Sequence, residues 1–259
     1  MLETLLALLQ QPQTWIFLAI GFVAQLFDGA IGMGFGAISS TVLAAIGLPR
    51  EIASASVNGA KILTGAAASI GHIALRNVDW HMLVVLGGAG MVGGALGSLL
   101  LTRYAGPILG VFVSAYLIVV GAVIILRARG APPPVVPHAK IGGVGLAGGF
   151  LEAMSGVWGP LVTSNLVAVG ANPRYVVGTG SIAETFVAGT VFGILVRHLG
   201  FEQLSLATLG LIGGALLATP IAARITRDLP RKPLMITVGV LVILLSIVRL
   251  TRDISSLIA

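Results

Sequence analysis

Long hydrophobic runs separated by short polar stretches organise the chain. They fall at about 14–47, 51–75, 81–102, 107–126, 141–170, 175–198, 203–225 and 232–250. A helix needs roughly 20 residues to cross the hydrocarbon core of a bilayer, so six of these runs fit one crossing each. The first and fifth runs are longer, and both are interrupted. In the first, Phe27-Asp28-Gly29-Ala30-Ile31-Gly32-Met33-Gly34-Phe35-Gly36 sets an acid before closely spaced glycines. In the fifth, Phe150-Leu151-Glu152-Ala153-Met154-Ser155-Gly156-Val157-Trp158-Gly159-Pro160 again sets an acid before a break, now closed by a proline. Each glycine costs roughly 1 kcal/mol of helix propensity relative to alanine. Backbone loosened inside hydrocarbon must find partners within the protein or line a wet cavity. Each long run is therefore either one tilted, broken span or two short helices folded back. The expected fold is an all-α polytopic membrane protein with about eight spans, or up to ten helices if both long runs fold back.

The pattern occurs twice. Leu48-Pro49-Arg50 matches Asn172-Pro173-Arg174, Gly32 matches Gly156, Gly65 matches Gly189, and Gly93-Gly94-Ala95-Leu96 matches Gly213-Gly214-Ala215-Leu216. Order and spacing agree, which is the mark of an internal duplication. The division expected is a first membrane half over 1–130, a proline-rich, semi-rigid linker over 131–140 and a second half over 141–259. Paired breaks at matching positions of two halves point to a transporter's binding site. Both breaks are expected at mid-membrane depth, facing one cavity between the halves.

Composition excludes a soluble domain. Hydrophobic residues make up 56% and charged residues 9% of the chain, against about 25% charged in soluble domains, and the mean hydropathy is +1.04. The net charge of +6 comes from basic residues lying between hydrophobic runs, which reads as membrane anchoring and not as a nucleic-acid surface. Cysteine is absent, so disulfides, thiolate metal sites and a cysteine nucleophile are excluded. Residues Met1 to Gln13 carry Glu3 and no Lys or Arg; this fits a short interfacial helix better than a signal peptide. With eight crossings the basic residues divide equally between the two faces. With ten helices and inverted halves, Arg50, Arg103, Arg197, Arg249 and Arg252 face the nine other basic loop residues, and the tie is broken.

Few residues carry candidate chemistry. Ser54, Asn58, Lys61, Gly65, Ser69 and His72 fall on one helical face of the second run. A lysine inside a span costs about 2.5–3.5 kcal/mol on insertion scales and needs a partner. Lys61 reads as a cation for an anionic substrate, as half of a structural ion pair with Asp28, or as a side chain snorkelling to the interface. The face is expected to line the cavity, with Lys61→Met weakening transport and sparing the fold. The matching helix has Ser181, Glu184 and Thr185 and no lysine, so the site is asymmetric. Asp28, Glu152 and Glu184 are the candidates for proton coupling; the alternative for Asp28 and Glu152, which could also ligate a cation, is a helix cap or a buried protonated acid, and for Glu184 a protonated glutamate facing a neighbouring helix.

The breaks themselves offer backbone amides. Gly34 and Gly36 in the first, and Gly156 and Gly159 with Pro160 in the second, stand where a helix N-terminus aimed into a cavity would bind an anion. Trp158 stands beside the second break, and Asn165 offers a further hydrogen bond. Gly90-xxx-Gly94, Gly93-xxx-Gly97 and Gly210-xxx-Gly214 read as close helix packing. The four histidines are scattered without ligand spacing. No nucleophile–base pair, phosphate loop or HExxH is present, so neither a catalytic site, a metal nor a cofactor is expected.

The duplicated half, the Phe27–Gly36 stretch, Gly47-Leu48-Pro49-Arg50 leading into a small-residue helix, and the glycine-rich third run together resemble the TauE/SafE family of sulfite-exporter-like membrane proteins. The resemblance runs from about Trp15 to Arg249. It implies a carrier of the bacterial or archaeal inner membrane, with substrates among sulfite, sulfonates and other small organic anions. The expected function is a secondary transporter, an exporter, of such an anion, coupled to the proton gradient. Its partners are then the anion and the lipid bilayer, with no nucleic acid and with a homodimer open. A non-transporting membrane subunit or assembly factor is the alternative, marked by a partner-dependent phenotype and no stabilisation by any anion. One lysine against three acids implies that at least one acid holds a proton when the anion binds, and Glu184 is the first choice.

Overall fold

The computed structural model describes residues 10–31, 34–104, 106–130, 141–168, 171–225 and 231–258. The linker expected over 131–140 lies outside them, as does the interfacial helix up to residue 9. Ten helices are described: α1 Pro12–Ile31, α2 Phe35–Ala45, α3 Arg50–Ala74, α4 Trp80–Arg103, α5 Pro107–Ala128, α6 Ile141–Ser155, α7 Gly159–Ala168, α8 Pro173–Leu199, α9 Phe201–Ile225 and α10 Arg231–Ile258. Both long runs resolve into two helices. Gly34 precedes α2, and residues 156–158 separate α6 from α7. Among the described residues, four helices are long and apolar enough to cross a membrane by length and composition alone: Trp80–Arg103, Pro107–Ala128, Arg174–Leu199 and Met235–Ile258. Large apolar side chains such as Ile70, Val84, Ile108 and Leu244 stand exposed along the bundle, as the lipid-facing surface of a multi-pass membrane protein requires.

Helix boundaries follow local chemistry. The Asp79 carboxylate accepts the Met82 N–H and caps α4, and Asn172 does the same for α8 through the Arg174 N–H. Pro107 and Pro173 sit in first turns, where a missing N–H is harmless. Small residues let the helices close up. Gly90 of α4 lies against Gly149 of α6, and Gly214 of α9 lies against the backbone of Leu18 in α1. Side chains at these positions would displace backbone, so the glycine pairs set the interaxial approach.

The contacts also give the helix directions. Along α3 and α8, Leu75 and Asn77 meet Arg174, Ser69 meets Thr185, and Gly59 meets Phe192. One sequence rises as the other falls, so the helices are antiparallel. The pair α5 and α10 behaves alike: Ser114 meets Asp253, Gly121 meets Ile243, and Gly239 meets Ile125. By contrast α4 and α6 run parallel, Leu86 meeting Gly145 and Gly97 meeting Ala153. Helices α3 and α8 hold the same place in the two halves of the sequence, as do α5 and α10. Equivalent helices that run antiparallel are inverted, which five helices per half produce and four do not. The fold-back of α6 on α7 agrees, since Val162 lies beside Gly148. The halves also interlock: α1 packs on α9 and α6 on α4, each first helix against the fourth of the other half.

For this arrangement the sequence sets five basic residues against nine, and the expectation from the positive-inside rule is that the nine-residue end faces the cytoplasm. The chain has no native cysteine, which allows a direct check. Tyr104→Cys, exposed where α4 ends, should react with a membrane-impermeant thiol reagent on intact cells. Trp80→Cys, exposed where α4 begins, should react only after permeabilisation. The reverse pattern would invert the orientation.

Candidate functional site

The two breaks meet at the centre of the bundle. Gly36 lies so close to the Gly156 carbonyl that a β-carbon would overlap it, and the Ser40 hydroxyl donates to the Ser155 carbonyl at 2.5 Å. Gly156 has φ +68°, a backbone state open to glycine at little cost, and this turns the chain between α6 and α7. The N-termini of α2 and α7 therefore converge. Beside them opens a cavity of about 530 Å³, bordered by Asp28, Gly34, Gly36, Lys61, Glu184 and the segment Gly156–Pro160, and extending along α3 to His72. Lys61 and Glu184 are each the twelfth residue of their helices, which sets this cluster near the middle of two full-length helices.

Lys61 is the hub. Its ammonium donates to Glu152 Oε1 at 2.8 Å, to Glu184 Oε1 at 2.7 Å and to the Gly156 carbonyl at 2.8 Å. All three donors of the ammonium are used. The partner is therefore not Asp28, the one considered from the sequence, but two acids from the second half. They differ in access. The side chain of Glu152 is fully buried, whereas that of Glu184 is 28% exposed and borders the cavity. The second oxygen of Glu152 has no hydrogen-bond partner. One cation thus sits between a sealed carboxylate and a reachable one.

The other expected residues divide. Asp28 borders the cavity, and its carboxylate accepts the Phe35 N–H at 3.1 Å; it caps α2 while facing the open space. Gly34, Gly36, Gly156, Gly159 and Trp158 border the cavity. Trp158 is buried beside Gly90 and Gly148, so its ring forms part of the wall between α4 and α6. Ser54, Asn58, Glu152 and Asn165 do not border it, which corrects the expectation that Ser54 and Asn58 face it with Lys61 and His72. The reason is that the end of α6 covers the first turns of α3. Ser54 donates to the Ala153 carbonyl at 2.6 Å, and Asn58 turns back on the Ser54 carbonyl at 2.9 Å. Asn165 likewise donates to the Leu161 carbonyl at 2.7 Å, within α7.

Gln25, Thr64 and Thr163 line the cavity without having been singled out. Gln25 and Thr64 stand three residues from Asp28 and Lys61, on the same helical faces, so that spacing was the available signal. Thr185, next to Glu184, lies within 3.4 Å of Ser69 and accompanies Ser181 on the wall.

The family model described as sulfite exporter TauE/SafE matches residues 17–249. A probable membrane transporter protein, YtnM of Bacillus subtilis (strain 168), is 31% identical over 241 residues, covering 89% of this chain and 80% of that protein. No solved structure matches the chain. A helical bundle with two touching glycine breaks thus coincides with a family match over nearly its whole length, and the chain belongs to the sulfite exporter TauE/SafE family.

Proposed function

We propose that the protein is a secondary transporter, an exporter in the inner membrane, that carries a small anion such as sulfite, a sulfonate or another organic anion and couples its movement to protons. The observation that carries this reading is the hold on Lys61 by one sealed acid, Glu152, and one acid within reach of the cavity, Glu184. Protonating Glu184 removes one of the two negative charges that neutralise the lysine. The ammonium then has a donor for an anion in the cavity, and the helix N-termini at the breaks add favourable dipoles. Glu152 remains as the constant counter-ion. Asp28 serves a backbone N–H, whereas Glu184 pairs directly with Lys61, so its protonation acts on the ammonium itself. Proton and anion then occupy the site together, and loss of the proton returns Glu184 to Lys61 and ejects the anion.

The experiment is a pair of measurements across pH on wild type and Glu184→Gln: thermal stabilisation by sulfite, sulfate, thiosulfate, taurine and simple carboxylates, and flux of the best of them in proteoliposomes. The glutamine mimics the protonated acid. The variant is expected to keep anion binding and to lose its pH dependence. A variant with the wild-type pH profile excludes Glu184 as the coupling residue. A wild type stabilised by none of these anions removes the transport reading's chief support.

A further inference from the structure

A second, small cavity of about 30 Å³ lies on the other side of the crossing, bordered by Arg50, Ser54, Val113, Ser114, Ser246 and Arg249. Ser40 and Ser155, which join the two breaks, also border it. The large cavity follows the later turns of α3, Lys61 to His72, whereas the small one follows its first turns, Arg50 to Ser54. Likewise Ile124, near the end of α5, borders the large cavity, and Val113 and Ser114, near its start, border the small one. The two cavities therefore lie on opposite sides of the point where the breaks touch.

The small cavity is closed by charge. Arg50 Nη2 donates to Asp253 Oδ1 at 2.5 Å, Arg249 Nε lies 3.6 Å from the same oxygen, and Ser114 lies 3.5 Å from Asp253 Oδ2. Arg249 also donates to the Ala44 carbonyl at 2.8 Å, and Arg252 to the Ala45 carbonyl at 3.2 Å, tying α10 to the end of α2. Two arginines share one carboxylate, so the walls carry an excess positive charge. Arg50 opens α3, where the helix dipole opposes a cation and favours an anion. The Ser246 hydroxyl is buried, borders the cavity and has no hydrogen-bond partner.

We propose that this cavity is the closed form of a second anion station on the way to the opposite membrane face, in which the Asp253 carboxylate holds the place of a small oxyanion between Arg50 and Arg249. The inference rests on the transport reading and adds to it a ligand site and a gate. The ligand class is an oxyanion with at least two acceptor oxygens, the shape that guanidinium groups bind in pairs. A space of this size holds about two water molecules, so Asp253 must withdraw before the anion fits. Opening then has two parts, release of Asp253 and separation of α10 from the end of α2. An inverted repeat that alternates its access around a fixed site needs such a closed side in every state.

The test uses Val113→Cys as a reporter of access in purified full-length protein in nanodiscs, with sulfate as the probe anion. Val113 is buried and borders the small cavity and not the large one. Labelling by a small maleimide is expected to be slow with Asp253 in place. Asp253→Asn should speed it by about tenfold or more, the effect of losing one charge-assisted hydrogen bond. Sulfate should slow it again, and adding Arg249→Gln should remove that protection. Unchanged slow labelling in Asp253→Asn overturns the proposal, as does faster labelling that sulfate leaves unaffected. If Asp253→Asn does not purify as a monodisperse species, Arg50→Lys, which keeps the charge and loses the fork, is read by the same criteria. A reporter that opens and is protected, in a protein that moves no anion across vesicles, keeps the second station and rejects the transport reading instead.

Discussion

Lys61→Met is expected to destabilise the protein by about 3–5 kcal/mol, the usual cost of removing one partner from a buried ion pair. This revises the expectation, drawn from a lone lysine in a span, that the fold would be spared. The lysine satisfies the sealed Glu152 at 2.8 Å, and methionine would leave that carboxylate buried without a counter-ion. Glu184, partly exposed to the cavity, can hydrate and so adds less. The loss should therefore be recovered mainly by neutralising Glu152. Thermal unfolding in detergent is expected to show a large drop for Lys61→Met and a substantial recovery for Lys61→Met with Glu152→Gln, while anion binding stays absent in both. An unchanged melting temperature in the single variant would sink the ion-pair account. Restored binding in the double variant would show that Lys61 does not hold the anion.

The second large effect concerns the crossing of the breaks. Gly36→Ala would place a β-carbon into the Gly156 carbonyl, which is backbone and cannot rotate aside. Overpacking of this kind costs about 1–3 kcal/mol. Here it also pushes apart the two segments that border both cavities, so transport should fall further than stability. Gly34→Ala is the control, since the nearest atom to its added carbon is the tip of Ile38 at 3.8 Å. Circular dichroism should show unchanged helix content in both variants. Flux in proteoliposomes should be largely lost for Gly36→Ala and near wild type for Gly34→Ala. Equal flux in the two would mean that the breaks do not need close contact.

The inverted topology explains why both effects sit at one point. Helices α3 and α8 cross antiparallel, and each brings the middle of its length to the breaks. The lysine of one half thereby meets the acids of the other.

Much of this was determined by the sequence alone. The two runs too long for one crossing, each carrying an acid before its glycines, required a break in both halves, because glycine-rich helix is weak and bare backbone is not tolerated in lipid. Charge density and hydropathy settled the membrane class, since no soluble core could bury that much apolar surface. Periodicity put Lys61 and His72 on one face, and that face does border the cavity. What the pattern could not supply was the partner of each charge and the side on which each turn of α3 is covered. Ser54 and Asn58 share the stripe with Lys61, yet they lie under the end of α6, since helical spacing records direction around an axis and not what another helix lays over it. Glu152 and Glu184 are 91 and 123 residues from Lys61 in the chain, and only the antiparallel crossing of inverted halves brings them to the same ammonium. Arg249 and Asp253 stand one helical turn apart on α10, but their junction with Arg50 was likewise illegible: it joins the start of α3 to the end of α10, and charges so far apart along the chain acquire a common meaning only when packing excludes the water between them.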